Sequence, residues 1–400
     1  MGNVLLYKMV IEGFDFGPYV TKLILAWNRD TENLDAADFI VKAGRQGGAF
    51  EPDAVIEGIR KVTGISVSGN QVILELEVHP SISVANAFRV DKIEEGPGKF
   101  YVGNQWAYPY THSLKWKDTE FVMECTGIIK PLADSFDISG RFTATDGVTL
   151  QYASFIPTEA ECERRPLMIW LHGAGEGSWF STQPADIAII GNKVVALADK
   201  KIQDIMNGAY ILAPQVPTMW MDDGTGAYTK DGTTKYENAL HQLIERFLTD
   251  HPNVDTGRIY IGGCSNGGFM TMRMIISFPE LFAAAFPVCQ AFKPEWITDS
   301  QMKRISEIPI WQIHARNDGI VQFAGAEDTY KRLVAAGAKN AQYTWYDKME
   351  DISGLWLDDK GKPWSYDGHW SWIHVYNNNA YTTIDGEDIS LFEWLARQHK

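Results

Sequence analysis

The chain has 400 residues, 45% hydrophobic and 22% charged, a length and balance suited to two globular domains with sizeable cores. Its net charge of −15 argues against nucleic-acid partners and anionic membrane surfaces, which repel an acidic protein. No apolar run reaches the roughly 18 residues that span a bilayer. The opening MGNVLLYKMVIEGFDFG lacks a basic start, an apolar centre and a small-residue cleavage site, so no intact signal peptide is expected, with secretion left open. Cys125, Cys162, Cys264 and Cys289 are too few and too scattered for a disulfide scaffold, and no C-x-x-C pair suggests zinc. Buried free thiols are expected at Cys264 and Cys289, which adjoin apolar runs.

Up to about residue 135 the chain shows short runs rich in β-branched and aromatic residues, at 20–27, 49–51, 62–67, 71–78 and 121–126. Turn residues at 68–70 and 96–98 separate them. The 71–78 run alternates, with Val72, Leu74, Leu76 and Val78 on one face, as a half-buried strand should. Strands at this spacing predict a small immunoglobulin-like β-sandwich over residues 1–135, the expected surface for any homo-oligomer. From there to residue 400 the pattern changes to strands alternating with helices. Apolar runs at 167–171, 210–212, 259–261, 284–288 and 308–313 read as buried strands of a parallel sheet. Leu240, Leu243, Ile244, Phe247 and Leu248 share one helical face, and a last helix is expected around Leu391, Phe392 and Leu395. This alternation predicts a doubly wound, mostly parallel sheet whose ligands bind beyond the C-terminal strand ends.

Gly263-Cys264-Ser265-Asn266-Gly267 is a G-x-S-x-G motif between a strand and the apolar helix 269–277. On such a turn the flanking residues must lack bulk, which pushes the serine Oγ out at the top of the sheet. The following N–H, that of Asn266, points into the site at a helix N-terminus. His172-Gly173-Ala174-Gly175-Glu176-Gly177 follows the 167–171 strand, and its small residues let the Ala174 N–H serve as second oxyanion donor. A phosphate cradle, the rival reading of a glycine-rich loop, lacks the Lys-Ser/Thr of a P-loop. His172 reads as a structural hydrogen-bonder, and Glu176 either orients the loop or is simply solvated. In chain order an acid and a histidine should follow the serine. Asp318 closes the loop after the 308–313 strand, with Asp328 and Asp347 as poorer alternatives. His369 sits in the Trp-rich loop Asp367-Gly368-His369-Trp370-Ser371-Trp372, with His374 as its competitor in an apolar run.

With these residues in hand the chain resembles the α/β-hydrolase superfamily, and within it the esterases related to polyhydroxybutyrate depolymerases and the so-called predicted peptidases. The likeness is carried by residues 172–176, Ala213-Pro214-Gln215, the Asp255…Arg258-Ile259-Tyr260 lead into the serine, Gly368-His369 with Trp372 and Tyr376, and the closing residues 394–398. It covers residues 140–400; a weaker likeness links residues 12–18 to the immunoglobulin-like domain that precedes some bacterial esterases of this group. Cys264, Asn266 and Ala315 depart from the usual pattern without removing a needed group. The resemblance implies a Ser-His-Asp carboxylesterase for short or medium acyl, aryl or polyester esters, without cofactor or metal. Trp179, Trp220, Gln290, Trp370 and Trp372 are then candidate pocket residues; otherwise they are core and rim side chains. Two other functions compete: a prolyl-oligopeptidase-like peptidase, for whose propeller domain the N-terminal region is too short, and a non-catalytic carbohydrate-binding or adhesive module.

Overall fold

Two hydrophobic patterns of different period produce two kinds of sheet. In the computed structural model, which describes residues 4–94, 100–158, 163–178 and 185–400, the chain divides into two compact units, Met1–Ser135 and Phe136–Lys400. The first is all β: β1 (Val4–Phe14), β2 (Gly17–Ala26), β3 (Phe39–Gln46), β4 (Val55–Arg60), β5 (Val62–Ser68), β6 (Gln71–Leu76), β7 (Phe88–Glu94), β8 (Phe100–Trp106), β9 (Thr111–Trp116) and β10 (Thr119–Ile129). β10 pairs with β9 at its start and then runs parallel to β1, so one strand serves both layers of a sandwich. Its order is β4-β3-β9-β10-β1-β2-β6-β5, with β7 and β8 as a separate hairpin. Val20, Leu23, Val41, Val72 and Leu74 are fully buried within it. The run at 49–51, expected as a strand, is instead a turn. There Glu51 pairs with the buried Arg45 and accepts the Gly48 N–H, an arrangement that a paired strand would not allow. The turn expected at 96–98 lies outside the described residues.

The second unit carries β11 (Asp137–Thr143), β12 (Thr149–Phe155), β13 (Arg165–Leu171), β14 (Tyr210–Gln215), β15 (Val254–Cys264), β16 (Ala284–Val288), β17 (Ile310–Ala315) and β18 (Ala341–Tyr346), with a final hairpin β19 (Tyr381–Ile384) and β20 (Glu387–Ser390). Its helices are α1 (Asp186–Ile190), α2 (Lys200–Ile205), α3 (Glu237–Asp250), α4 (Asn266–Ser277), α5 (Asp299–Ile305), α6 (Phe323–Ala335), α7 (Trp372–Tyr376) and α8 (Leu391–Ala396). The sheet order is β11-β12-β14-β13-β15-β16-β17-β18. Every pairing from β14 to β18 is parallel, while β11 and β12 are an antiparallel margin. Each residue of β13, β14, β16 and β17 is buried, which is why these strands are apolar at most positions rather than alternating. Leu240, Leu243, Ile244 and Phe247 of α3 and Phe269, Met270 and Ile275 of α4 join Leu167, Ile169, Ile259 and Ile261 in one core. β17 starts at Ile310 rather than 308, because Pro309 has no N–H to give a ladder, and runs on to Ala315. Among the described residues no helix is long and apolar enough to cross a membrane.

Close packing inside this sheet can be tested at Gly262, where a Cβ would lie 2.3–2.5 Å from ring carbons of the fully buried Phe286. Gly262→Ala should lose roughly 1–3 kcal/mol by overpacking. An unchanged melting midpoint would show that the ring moves freely.

Candidate active site

Strand ends of the parallel sheet place the serine and the acid, and the loop after β18 brings the histidine. Ser265 stands between β15 and α4 with φ 56° and ψ −111°, a conformation that costs a non-glycine residue about 1–3 kcal/mol. Its neighbours explain it. A Cβ on Gly263 would meet the Leu171 carbonyl oxygen at 2.5 Å, and one on Gly267 would meet it at 1.9 Å. The end of β13 thus presses on both glycines. Three backbone hydrogen bonds hold the turn: Ser265 N–H to Val288 O (2.9 Å), Phe269 N–H to Ser265 O (2.9 Å) and Ala291 N–H to Ser265 O (3.3 Å).

Asn266 is the first residue of α4, so its N–H has no helical carbonyl to bond. Its side chain accepts the Met221 N–H at 3.1 Å. Ala174 opens a short 3-10 turn, Ala174–Glu176, after β13. Beneath it, His172 Nε2 accepts the Val216 N–H at 3.2 Å, which leaves Nδ1 to donate to Gly173 O at 2.6 Å. His172 is a structural hydrogen-bonder: burial pushes it down to about 4, against the smaller opposing effect of the Gly173 bond. Glu176 is 3% exposed, so it is no solvated carboxylate, and its backbone carbonyl accepts from Gln215 Nε2 at 2.9 Å.

Asp318 lies three residues beyond β17 and is buried. Its Oδ1 accepts the N–H groups of Ile320 (2.8 Å) and Val321 (2.9 Å). Its Oδ2 faces two imidazoles, His369 Nδ1 at 2.8 Å and His314 Nε2 at 3.0 Å. Burial opposes the charged carboxylate, but the bonds from His314 and His369, the His369 charge and the Val321 N–H outweigh it. The group is held well below the usual carboxylate range.

The His369 loop approaches so closely that a Cβ on Gly368 would lie 2.4 Å from Asn317 O. The His369 N–H bonds Asp367 Oδ1 at 2.8 Å, and Trp372 meets the ring edge-on at 5.4 Å. Burial works against the charged ring, yet the Cys289 sulfur and the Asp318 carboxylate prevail and raise its affinity for a proton above the ordinary value. His374 is buried in α7 and packs against Tyr346 at 4.5 Å, on a different element from the Asp318–His369 pair.

Trp220 has no exposed surface and packs between His172 and Tyr236 at 5.3 and 6.2 Å, which puts it in the core beneath the site and corrects its placement on a pocket wall. Gln290 is buried, its Oε1 accepting the Phe292 N–H at 2.6 Å while Nε2 has no partner among the described residues. Trp370 is half-buried, Trp372 is buried, and Trp179 lies outside the described residues. Cys264 and Cys289 are buried and free, Cys125 is exposed and free, and Cys162 lies outside the described residues. Burial first, then the neighbouring Cys289 and Glu176, push the Cys264 thiol up, which disfavours its thiolate form. Among the described residues one set of donors could hold a metal ion: Cys289 Sγ, a His369 nitrogen and an Asp318 oxygen lie within 4.8 Å of one another. His314 had no part in the sequence reading; its signal there is a polar residue at the end of an apolar strand, four positions before Asp318.

Sheet order, the turn at Ser265 and the helix that follows define an α/β-hydrolase. The chain belongs to the phospholipase/carboxylesterase family, whose pattern matches residues 155–354, a span that includes Ser265 and Asp318 and stops short of His369. Along 99% of its length it is similar to a solved thermostable esterase, all of whose chain is covered, with a TM-score of 0.74 and 25% identity. It is 24% identical to acyl-protein thioesterase 1 of Eremothecium gossypii over 36% of this chain and 62% of that one. Poly(3-hydroxyoctanoate) depolymerase of Pseudomonas fluorescens is 26% identical over 36% of this chain and 55% of its own. Probable acetylxylan esterase A of Aspergillus fumigatus is 29% identical over 26% of this chain and 27% of its own. The chain thus spans less than two thirds of these three curated relatives.

The electrostatic reading is open to direct measurement. An NMR titration should place the His369 midpoint above the ordinary value of about 6.5. Asp318→Asn, which removes the charge favouring the imidazolium, should move it down. A midpoint that Asp318→Asn leaves unchanged would mean that the carboxylate does not set it.

Proposed function

We propose that the chain is a serine carboxylic-ester hydrolase working through Ser265, His369 and Asp318. One observation carries this reading: the buried Asp318 grips His369 Nδ1 at 2.8 Å, at the strand edge where Ser265 occupies its strained turn. His369 Nε2 takes the Oγ proton as Oγ bonds to the ester carbon, and the carbonyl oxygen becomes an oxyanion facing the Ala174 and Asn266 N–H groups. Collapse breaks the bond to the leaving oxygen, which receives that proton. Water then attacks the acyl-enzyme by the same route and frees the acid and Ser265.

Short- and medium-chain acyl esters, including aryl and polyester substrates, suit this reading. The names of its relatives, a thioesterase, a depolymerase and an acetylxylan esterase, all describe acyl transfer to water. An immunoglobulin-like character for residues 1–135, and their use in self-association, belong to the same proposal.

Ser265→Ala should lower kcat on a p-nitrophenyl ester by about 10⁴-fold or more, because such groups act as a unit. It should also abolish fluorophosphonate labelling while the melting curve is kept. A mutant retaining a tenth of the activity would remove Ser265 from the role. A preference for peptide amides over esters would favour the peptidase instead.

Two histidine variants make a separate test. His369→Ala should be folded and inactive, whereas His374→Ala should keep most turnover, or lose it only together with thermal stability. The reverse pattern would exchange the two residues.

A further inference from the structure

The mechanism above leaves one of the two imidazoles on Asp318 Oδ2 without a task. His314 is the fifth residue of β17 and is wholly buried. Its Nε2 lies 3.0 Å from Asp318 Oδ2 and also 3.0 Å from Val321 O. Both oxygens can only accept, so Nε2 carries the proton and forks it between them. A second proton, on Nδ1, would find no acceptor among the described residues. The neutral Nε2–H tautomer is the form that fits.

What surrounds the ring leaves it no other polar task. Its neighbour on β18 is Trp345, Val288 at the end of β16 and Cys289 just beyond it lie beside Ile313, and Phe323 of α6 meets the ring edge-on at 5.8 Å. The Arg316 guanidinium lies over Phe323 at 4.7 Å and pairs with Asp347 at 3.4 Å, both well exposed. The Asp318 carboxylate and the nearby Cys289 sulfur face His369, while the exposed Asp367 takes its backbone N–H. Asp318 is therefore the one charged group within hydrogen-bonding reach of the His314 ring among the described residues.

The geometry points to His314 as a positioning residue: its N–H fixes the Asp318 carboxylate through the same oxygen that His369 uses. An acceptor that already serves a second donor binds each donor less strongly. Val321 O, held by the same forked proton, ties the carboxylate to the backbone whose N–H groups grip Oδ1. His314 thus acts on the reaction through Asp318 and touches neither Ser265 nor the ester. The inference rests on the hydrolase reading.

Two variants separate the donor from the bulk. His314→Phe keeps a ring of similar volume and loses the N–H; His314→Gln returns an N–H near the Nε2 position. For each, kcat and KM on a p-nitrophenyl ester are followed against pH and normalised to the fraction labelled by a fluorophosphonate. His314→Phe should lose about tenfold in kcat with KM nearly unchanged, and the acid limb of kcat/KM should move up by about half a pH unit or more. His314→Gln should recover most of both. A residue that only fills space would lower the melting temperature and leave the acid limb in place, so an unmoved limb in His314→Phe, or equal effects in both variants, overturns the inference. If His314→Phe does not fold, ¹⁵N spectra of the unaltered protein decide: an Nε2–H tautomer at His314 supports the role, and an Nδ1–H tautomer defeats it. Should Ser265→Ala retain its turnover, the hydrolase reading falls while the tautomer measurement still stands.

Discussion

Two strand ends crowd each other at the centre of the sheet, and much of the site follows from that crowding. Leu171 and Gly263 are register partners on β13 and β15, and the Leu171 carbonyl leaves no room for a Cβ at Gly263 or Gly267. The chain can pass only through a tight turn, so Ser265 takes a positive φ, and α4 begins at once with Asn266. Neighbouring β16 supplies the carbonyl of Val288 that holds the turn, and Cys289, one residue on, lies beside His369. The G-x-S-x-G pattern is thus a steric requirement of strand packing before it is a chemical one.

Burial acts on two histidines of this unit with opposite results. At His172 nothing charged opposes desolvation, and the ring is held neutral as a fixed link between Gly173 and Val216. At His369 the buried Asp318 carboxylate and the Cys289 sulfur reverse the sign. The carboxylate can stay charged in a buried place because four donors surround it, two backbone N–H groups on one oxygen and two imidazoles on the other.

Residues 1–135 are an independent packing problem, solved with alternating strands and a core of their own. The solved esterase that matches this chain along 99% of its length has counterparts for both units, whereas the family pattern covers only part of the second.

Legibility in the sequence followed the range of the interactions. The buried parallel strands, α3 and the Ser265 turn could be read directly, because each is specified by a local run of apolar or small residues. Asp318 and His369 could be placed only as an order along the chain. What brings them to 2.8 Å is the close approach of Gly368 to Asn317 O, a contact between loops 51 residues apart. In β3, β4, β9 and β11 polar residues alternate with apolar ones and break the apolar signal, whereas β1 went unread although only Lys8 interrupts its apolar run over Val4–Ile11; the turn at 49–51 carries Ala49 and Phe50 yet is no strand, because the Glu51 side chain turns back to Arg45 and the Gly48 N–H. Trp220 could not be assigned to wall or core from its type, since an aromatic ring suits either until the sheet closes over it. The sequence alone therefore determined the two sheets, the serine's turn and the order of the polar groups, all encoded by neighbours in the chain. Which imidazoles share Asp318, and with which of its oxygens, was decided only when β17 and the loops at 315–321 and 366–370 packed together, because hydrogen-bond geometry depends on distances in space that no local pattern encodes.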